Sequence, residues 1–141
     1  TYKQPALPTT EKNAEVVNPQ IEDLKYIKIG GVEVKVELAI TPEVKSRGLG
    51  ERVSMGANEG MLFVFKESGK YAFWMRDMKF SIDIIWITEG QEVAYIKKNV
   101  SPDSYPEIFR SDENAKYVLE VPAFFADKNN LKLGDKVEFV Y

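Results

Sequence analysis

The stretch YAFWMRDMKFSIDIIWI (residues 71–87) holds both tryptophans and two of the four methionines, with charged residues set inside an apolar run. Its second half alternates in a way that decides the fold. Phe80, Ile82, Ile84 and Trp86 fall on one face of an extended chain, and Asp83, Ile85 and Ile87 on the other. Both faces are apolar, so residues 82–87 are expected to form a strand covered on both sides. Residues 71–74 read as a second strand, and residues 75–81 as a polar connection between the two.

Working outward, Thr88, Glu89, Gly90 and Gln91 form a turn into a strand over 93–97, antiparallel to the one before it. Upstream, residues 61–65 are a short apolar strand, and Glu67, Ser68, Gly69 and Lys70 turn the chain into the central stretch. Gly30-Gly31 joins strands over 26–29 and 32–40 as a two-residue hairpin, because glycine supplies the positive φ angles that turn needs. Thr41-Pro42-Glu43 opens a short helix: threonine caps, proline fits the first helical position, and glutamate meets the positive end of the helix dipole. Gly48 ends that helix, and residues 50–60 are a loop. Residues 101–115 are a long acidic surface loop, and residues 117–121 another strand. Pro122 opens a second short helix through Asp127 with Phe124 and Phe125 inward, and residues 137–141 close the sheet. The expected fold class is α+β and strand-rich: a curled antiparallel or mixed sheet, or a partly open β-barrel, with two short helices. Residues 1–24 read as a flexible polar tail punctuated by Pro5, Pro8 and Pro19, and residues 25–141 as a single domain.

Composition narrows the chemistry. The 141-residue chain has no cysteine and no histidine, which removes thiolate metal sites, disulfides, cysteine nucleophiles and histidine-based triads. No cofactor and no metal site is expected. Any catalysis would fall to carboxylates, lysine, tyrosine or hydroxyls. A net charge of -3 gives no electrostatic footprint for nucleic acid. No apolar run approaches the roughly 20 residues of a membrane-spanning helix. A monomer is expected.

Four carboxylates and one aromatic segment carry what chemistry is left. Asp83 enters an apolar strand, where an unpaired carboxylate costs several kcal/mol. Two readings are open for it: a pocket-lining acid, or a carboxylate that caps backbone amides in the preceding turn or pairs with Arg76. Trp74, Arg76 and Asp77 stand at a strand end, suited to a planar polar ligand or to simple core packing. Glu120 faces away from Tyr117, Leu119 and Val121, which places it on a solvent face or in a pocket. Glu59 precedes a strand, as a turn-capping residue or a fourth acid. Convergence of Glu59, Asp77, Asp83 and Glu120, with two of them about 5 to 10 Å apart, would suit glycoside-type acid–base chemistry.

Several blocks together resemble a known family. Thr41-Pro42-Glu43 with Arg47-Gly48-Leu49, the run from Glu59 to Phe65, the Phe73-Trp74-Met75-Arg76-Asp77-Met78 block, residues 82–87, residues 117–123 and Gly134-Asp135 occur in the order of the domain of unknown function 192 family. The resemblance covers the chain from about Val32 to its C-terminus. It implies a small, mostly β domain of bacteria and archaea, often behind a signal or anchor segment, and no established activity. Arg76-Asp77 stands where the family usually has Lys-Asn, and Ser81 where it often has proline. The cysteine that the family often carries in the long loop is absent around Val100-Ser101-Pro102.

The leading functional expectation is an extracytoplasmic binding module, freed of an N-terminal segment, for a small polar ligand, glycan or envelope partner protein. A cytoplasmic location is the alternative. The ligand would contact Trp74, Arg76, Asp77 and Asp83. The second expectation is a carboxylate-dependent hydrolase of cell-envelope polysaccharide, using Asp83 with Glu120 or Glu59. The third is a purely structural domain.

Overall fold

The structure, a computed structural model, describes residues 1–5 and 20–141. Seven strands form one sheet in the order β5-β4-β6-β3-β2-β1-β7. β1 (Tyr26–Ile29) and β2 (Val32–Ala39) make the expected hairpin, with Gly30 at φ 59° and Gly31 at φ 77°. α1 (Pro42–Arg47) follows, where the Thr41 hydroxyl accepts from Val44 N at 3.3 Å. This helix carries the chain across to β3 (Glu59–Gly69), which pairs with β2 in parallel; the other ladders are antiparallel. β4 (Ile82–Ile87) and β5 (Val93–Val100) come next, then β6 (Ala115–Pro122), α2 (Phe125–Lys128) and β7 (Glu138–Val140).

The sheet is strongly curled. Its two edges approach where Glu92 bridges Lys136, and Val93 N donates to Asp135 O at 2.8 Å. The result is a mixed half-barrel with two short helices, the α+β, strand-rich class read from the sequence.

Each face carries its own core. On the inner face Leu62, Val64, Ile85, Ile87, Leu119 and Val121 meet the hairpin residues Ile27, Ile29 and Val34 and the helix residue Phe125. On the outer face Met61, Phe63, Phe65, Ile84, Trp86 and Val118 are covered by Phe73, Met75 and Met78 of the segment before β4. β4 and β6 lie between these layers, and all six β4 residues are buried.

Four local expectations change. Residues 71–74 are not a strand: only Phe73 bridges, to Tyr2 on one side and Phe109 on the other. Their aromatic residues satisfy strand propensity, but they serve as a cover over the outer core. β3 runs to Gly69, through the expected turn, with a register shift between Val64 and Gly69. Pro122 ends β6 instead of starting a helix, and α2 begins at Phe125 after Phe124 at φ 71°. Phe124 therefore points outward, 65% exposed, while Phe125 is buried.

The tail reading for residues 1–24 differs at both ends. Thr1 and Tyr2 are buried, and a single 3₁₀ turn, Ile21–Asp23, sends Ile21 into the inner core. Residues 6–19 lie outside the described residues.

Candidate functional site

β6 is the strand that presents the site. Paired residues in an antiparallel ladder project to the same face. Glu120 lies opposite Ile84 on one side and Met61 on the other, which sends it to the outer face. Asp83 lies opposite Val121, which sends it to the inner face. These two acids on neighbouring strands therefore do not converge.

Both are fully buried, yet their surroundings differ. Asp83 Oδ1 accepts from Asn99 N and Oδ2 from Ala126 N, each at 2.8 Å. The carboxylate thus ties the end of β5 to α2. Arg76 does not pair with it; that guanidinium lies 3.9 Å from Asp77 at an exposed position. Glu120 Oε1 accepts from the Thr1 hydroxyl at 2.8 Å, and Oε2 meets no donor among the described residues. Burial pushes the Glu120 carboxyl up to about 7, against the opposing pull of the Thr1 amino group and hydroxyl. The solvent-face reading of Glu120 is corrected: β6 is covered on both faces, and alternation alone cannot show that.

The segment over Glu120 is held along its backbone. Thr1 N donates to Ser46 O at 2.5 Å and Lys45 O at 3.3 Å. Tyr2 N donates to Lys45 O at 3.0 Å, Trp74 N to Thr1 O at 2.9 Å, and Lys3 N to Ala72 O at 2.8 Å. Tyr2 packs edge-on against Phe65 and Tyr71. Gly48 makes the approach possible. Its φ is 51°, and a Cβ there would lie 2.1 Å from the Thr1 hydroxyl oxygen.

The rim belongs to the residues after the Phe73 bridge. Burial lowers the pKa of the Thr1 amino group; Glu120 and Asp77 oppose this shift, while Arg76 adds to it. Asp77 takes φ 60°, and its carbonyl accepts from Glu51 N at 2.8 Å, tying this rim to the loop after α1. Trp74 is half-buried, with Lys3 Nζ 5.3 Å from its ring centroid and the Tyr105 ring at 5.2 Å.

Of the residues singled out from the sequence, Trp74 and Glu120 both meet Thr1, through Trp74 N to Thr1 O and the Thr1 hydroxyl to Glu120 Oε1, while Arg76 and Asp77 are exposed. Asp83 sits on the opposite face, and Glu59 is exposed and turned back, accepting from Gly56 N at 3.0 Å. Thr1, Lys45, Ser46 and Gly48 escaped the sequence reading as site residues. Gly48 was legible as a helix terminator, but its role as a gap for a distant chain segment was not. Chemically, the Glu120 carboxyl and the Lys45 and Ser46 carbonyls are hydrogen-bond acceptors, met here by the hydroxyl and amino group of Thr1. Among the described residues no group of three or more His, Cys, Asp or Glu is placed to hold a metal ion. Nor is any helix among them long and apolar enough to cross a membrane.

Comparisons place this architecture among known proteins. A model of the DUF192 family, described as an uncharacterised ACR, matches residues 25–139. A solved structure from Sinorhizobium meliloti 1021, described as a candidate transcription regulator, is 31% identical, covers 77% of this chain and 83% of its own, and superposes with a TM-score of 0.74. A protein of unknown function from Novosphingobium aromaticivorans DSM 12444 is 30% identical, covers 93% of this chain and 99% of its own, with a TM-score of 0.74. No curated protein matches.

Proposed function

The chain belongs to the DUF192 family, described only as uncharacterised, and from that premise we propose that it is a binding module for a polar ligand, glycan or partner protein, with its cleft at the Trp74–Asp77 rim and Glu120 at its floor. The single observation behind this reading is Glu120: a wholly buried carboxyl with one oxygen engaged by a group from a distant segment and the other without a donor among the described residues. Buried polar atoms are almost always satisfied, so an exception calls for a partner. The ligand presents hydroxyl or ammonium donors to Glu120 and to the Lys45 and Ser46 carbonyls, while Asp77 and Trp74 meet its outer portion.

A paired-acid hydrolase receives less support from this geometry. Both Asp83 oxygens are engaged by backbone amides, and Glu120 lies across the sheet from it. The regulator description of the Sinorhizobium relative is not carried over, since a net charge of -3 offers nothing for a phosphate backbone. An extracytoplasmic setting belongs to the same proposal on the strength of the family resemblance, and cell fractionation checks it.

The test uses the full chain with Thr1→Gly, which clears the hydroxyl from the pocket, and ethanolamine as the probe. A ligand that binds the folded state raises Tm. Ethanolamine at tens of millimolar is expected to raise Tm on the order of 2 °C. Adding Glu120→Gln should abolish the gain. An equal gain with and without Glu120, or none in either chain, would overturn the reading.

A further inference from the structure

We infer that the natural ligand of this site is an extended polypeptide bearing a small hydroxyl residue followed by an aromatic one, and that residues 1–4 occupy the groove as a tethered version of it. This deepens the binding-module reading and rests on it.

The backbone contacts carry the inference. Tyr2 bridges Phe73 antiparallel, and the flanking bonds, Trp74 N to Thr1 O and Lys3 N to Ala72 O, are the paired bonds of strand addition. Phe73 is bridged on its other side by Phe109, with N–H···O bonds in both directions at 2.8 and 2.9 Å. Without the segment, the Ala72 carbonyl and the Trp74 amide would form an unpaired edge, ready to receive another chain. These backbone bonds are indifferent to sequence, so selectivity falls to the side-chain positions.

Two positions select. The first enters a pocket where the Gly48 backbone leaves room for a side chain of threonine size and Glu120 Oε1 accepts its hydroxyl. A site that hydrogen-bonds a hydroxyl discriminates strongly against an analogue without one, because the buried acceptor is left unpaired. The second is the aromatic slot holding Tyr2, which is 8% exposed with ring centroids of Phe65 at 5.0 Å, Phe73 at 5.6 Å and Tyr71 at 5.9 Å. The third and fourth residues face outward: Lys3 lies over Trp74, and Gln4 Nε2 reaches Pro42 O at 3.1 Å.

A tethered segment competes at an effective concentration that is commonly millimolar, so an outside peptide binds weakly until the tether is loosened. The experiment follows fluorescence anisotropy of the peptide Thr-Tyr-Lys-Gln-Pro, labelled at its C-terminus, titrated with the full 141-residue chain carrying Tyr2→Ala. Binding at least about tenfold tighter than to the unmodified chain is expected. The same peptide with valine in place of threonine should bind the variant at least about tenfold more weakly than the threonine peptide. Circular dichroism confirms that the variant is folded; if it is not, the Thr1→Gly chain takes its place with the same ranking expected. A folded variant that binds the peptide no tighter than the unmodified chain, or that accepts the valine peptide equally well, overturns the peptide assignment. Ethanolamine binding that depends on Glu120 would survive that outcome, so the two proposals fail separately.

Discussion

Asp83 and Glu120 sit one residue out of register on adjacent strands, both fully buried, yet they do different things. Asp83 faces the inner core, and each of its oxygens is met by a backbone amide, from Asn99 and Ala126. Glu120 faces the outer core and, among the described residues, has one partner, 119 residues away, and one oxygen that meets no donor. Burial alone therefore does not mark a site. The two carboxylates differ in whether the described fold completes their hydrogen bonds.

The largest effect should come from breaking the satisfied member. Asp83→Ala leaves two buried amides without acceptors and is expected to cost about 4 kcal/mol in urea unfolding. In a chain of this size that corresponds to a Tm drop of roughly 12 °C. Ethanolamine binding, read with Thr1→Gly also in place, should persist in the folded remainder, since Glu120 lies on the other face of the sheet. If Asp83→Ala abolished binding while leaving stability near normal, the two roles would be reversed.

The next effect is a pH dependence that belongs to Glu120. Burial pushes its carboxyl up to about 7 in the folded chain, above the ordinary carboxylate value of 4.5. Between those limits the folded chain holds a proton that the unfolded chain has released. Stability from this group is therefore fully present at low pH and falls by about 3 kcal/mol as the pH rises through 7. Glu37, paired to Arg52 and held below its usual range, works in the opposite direction at lower pH. The group's share is thus read by comparison: unfolding free energies at pH 5 and pH 8 should fall more steeply in the unmodified chain than in Glu120→Gln. Parallel profiles would remove the distinction between the two acids.

A smaller effect sharpens the outer side alone. Gly48→Ala places a Cβ against Thr1 at a positive φ and should cost about 2 kcal/mol, measured in urea. It should also change Trp74 fluorescence, since Trp74 N is bonded to Thr1 O. An unchanged Trp74 signal would mean the segment does not depend on the glycine gap.

Much of the frame was legible because it is local. The Gly30-Gly31 hairpin, the Thr41-Pro42 helix start and the β4 run are set by neighbours within a few residues. Residues 71–74 were misread because aromatic residues favour strands generally, while here the outer core needed a cover. The capping alternative for Asp83 pointed to the right chemistry, but the amides it meets are 16 and 43 residues away and not in the preceding turn. Glu120 was illegible in a different way. Alternation places a side chain on a face, but only the packing of the 71–81 segment and of residues 1–4 decides that this face is dry. The contact from Thr1 to Glu120 has no local trace at all.

The most direct measurement is a carbon-13 carboxyl titration of Glu120 by NMR, in the unmodified chain and in Thr1→Gly. A midpoint of about 7 is expected, moving upward in Thr1→Gly because the hydroxyl that favours the charged form is gone. A midpoint near 4.5 that ignores the Thr1 substitution would contradict a buried carboxyl waiting beneath that segment.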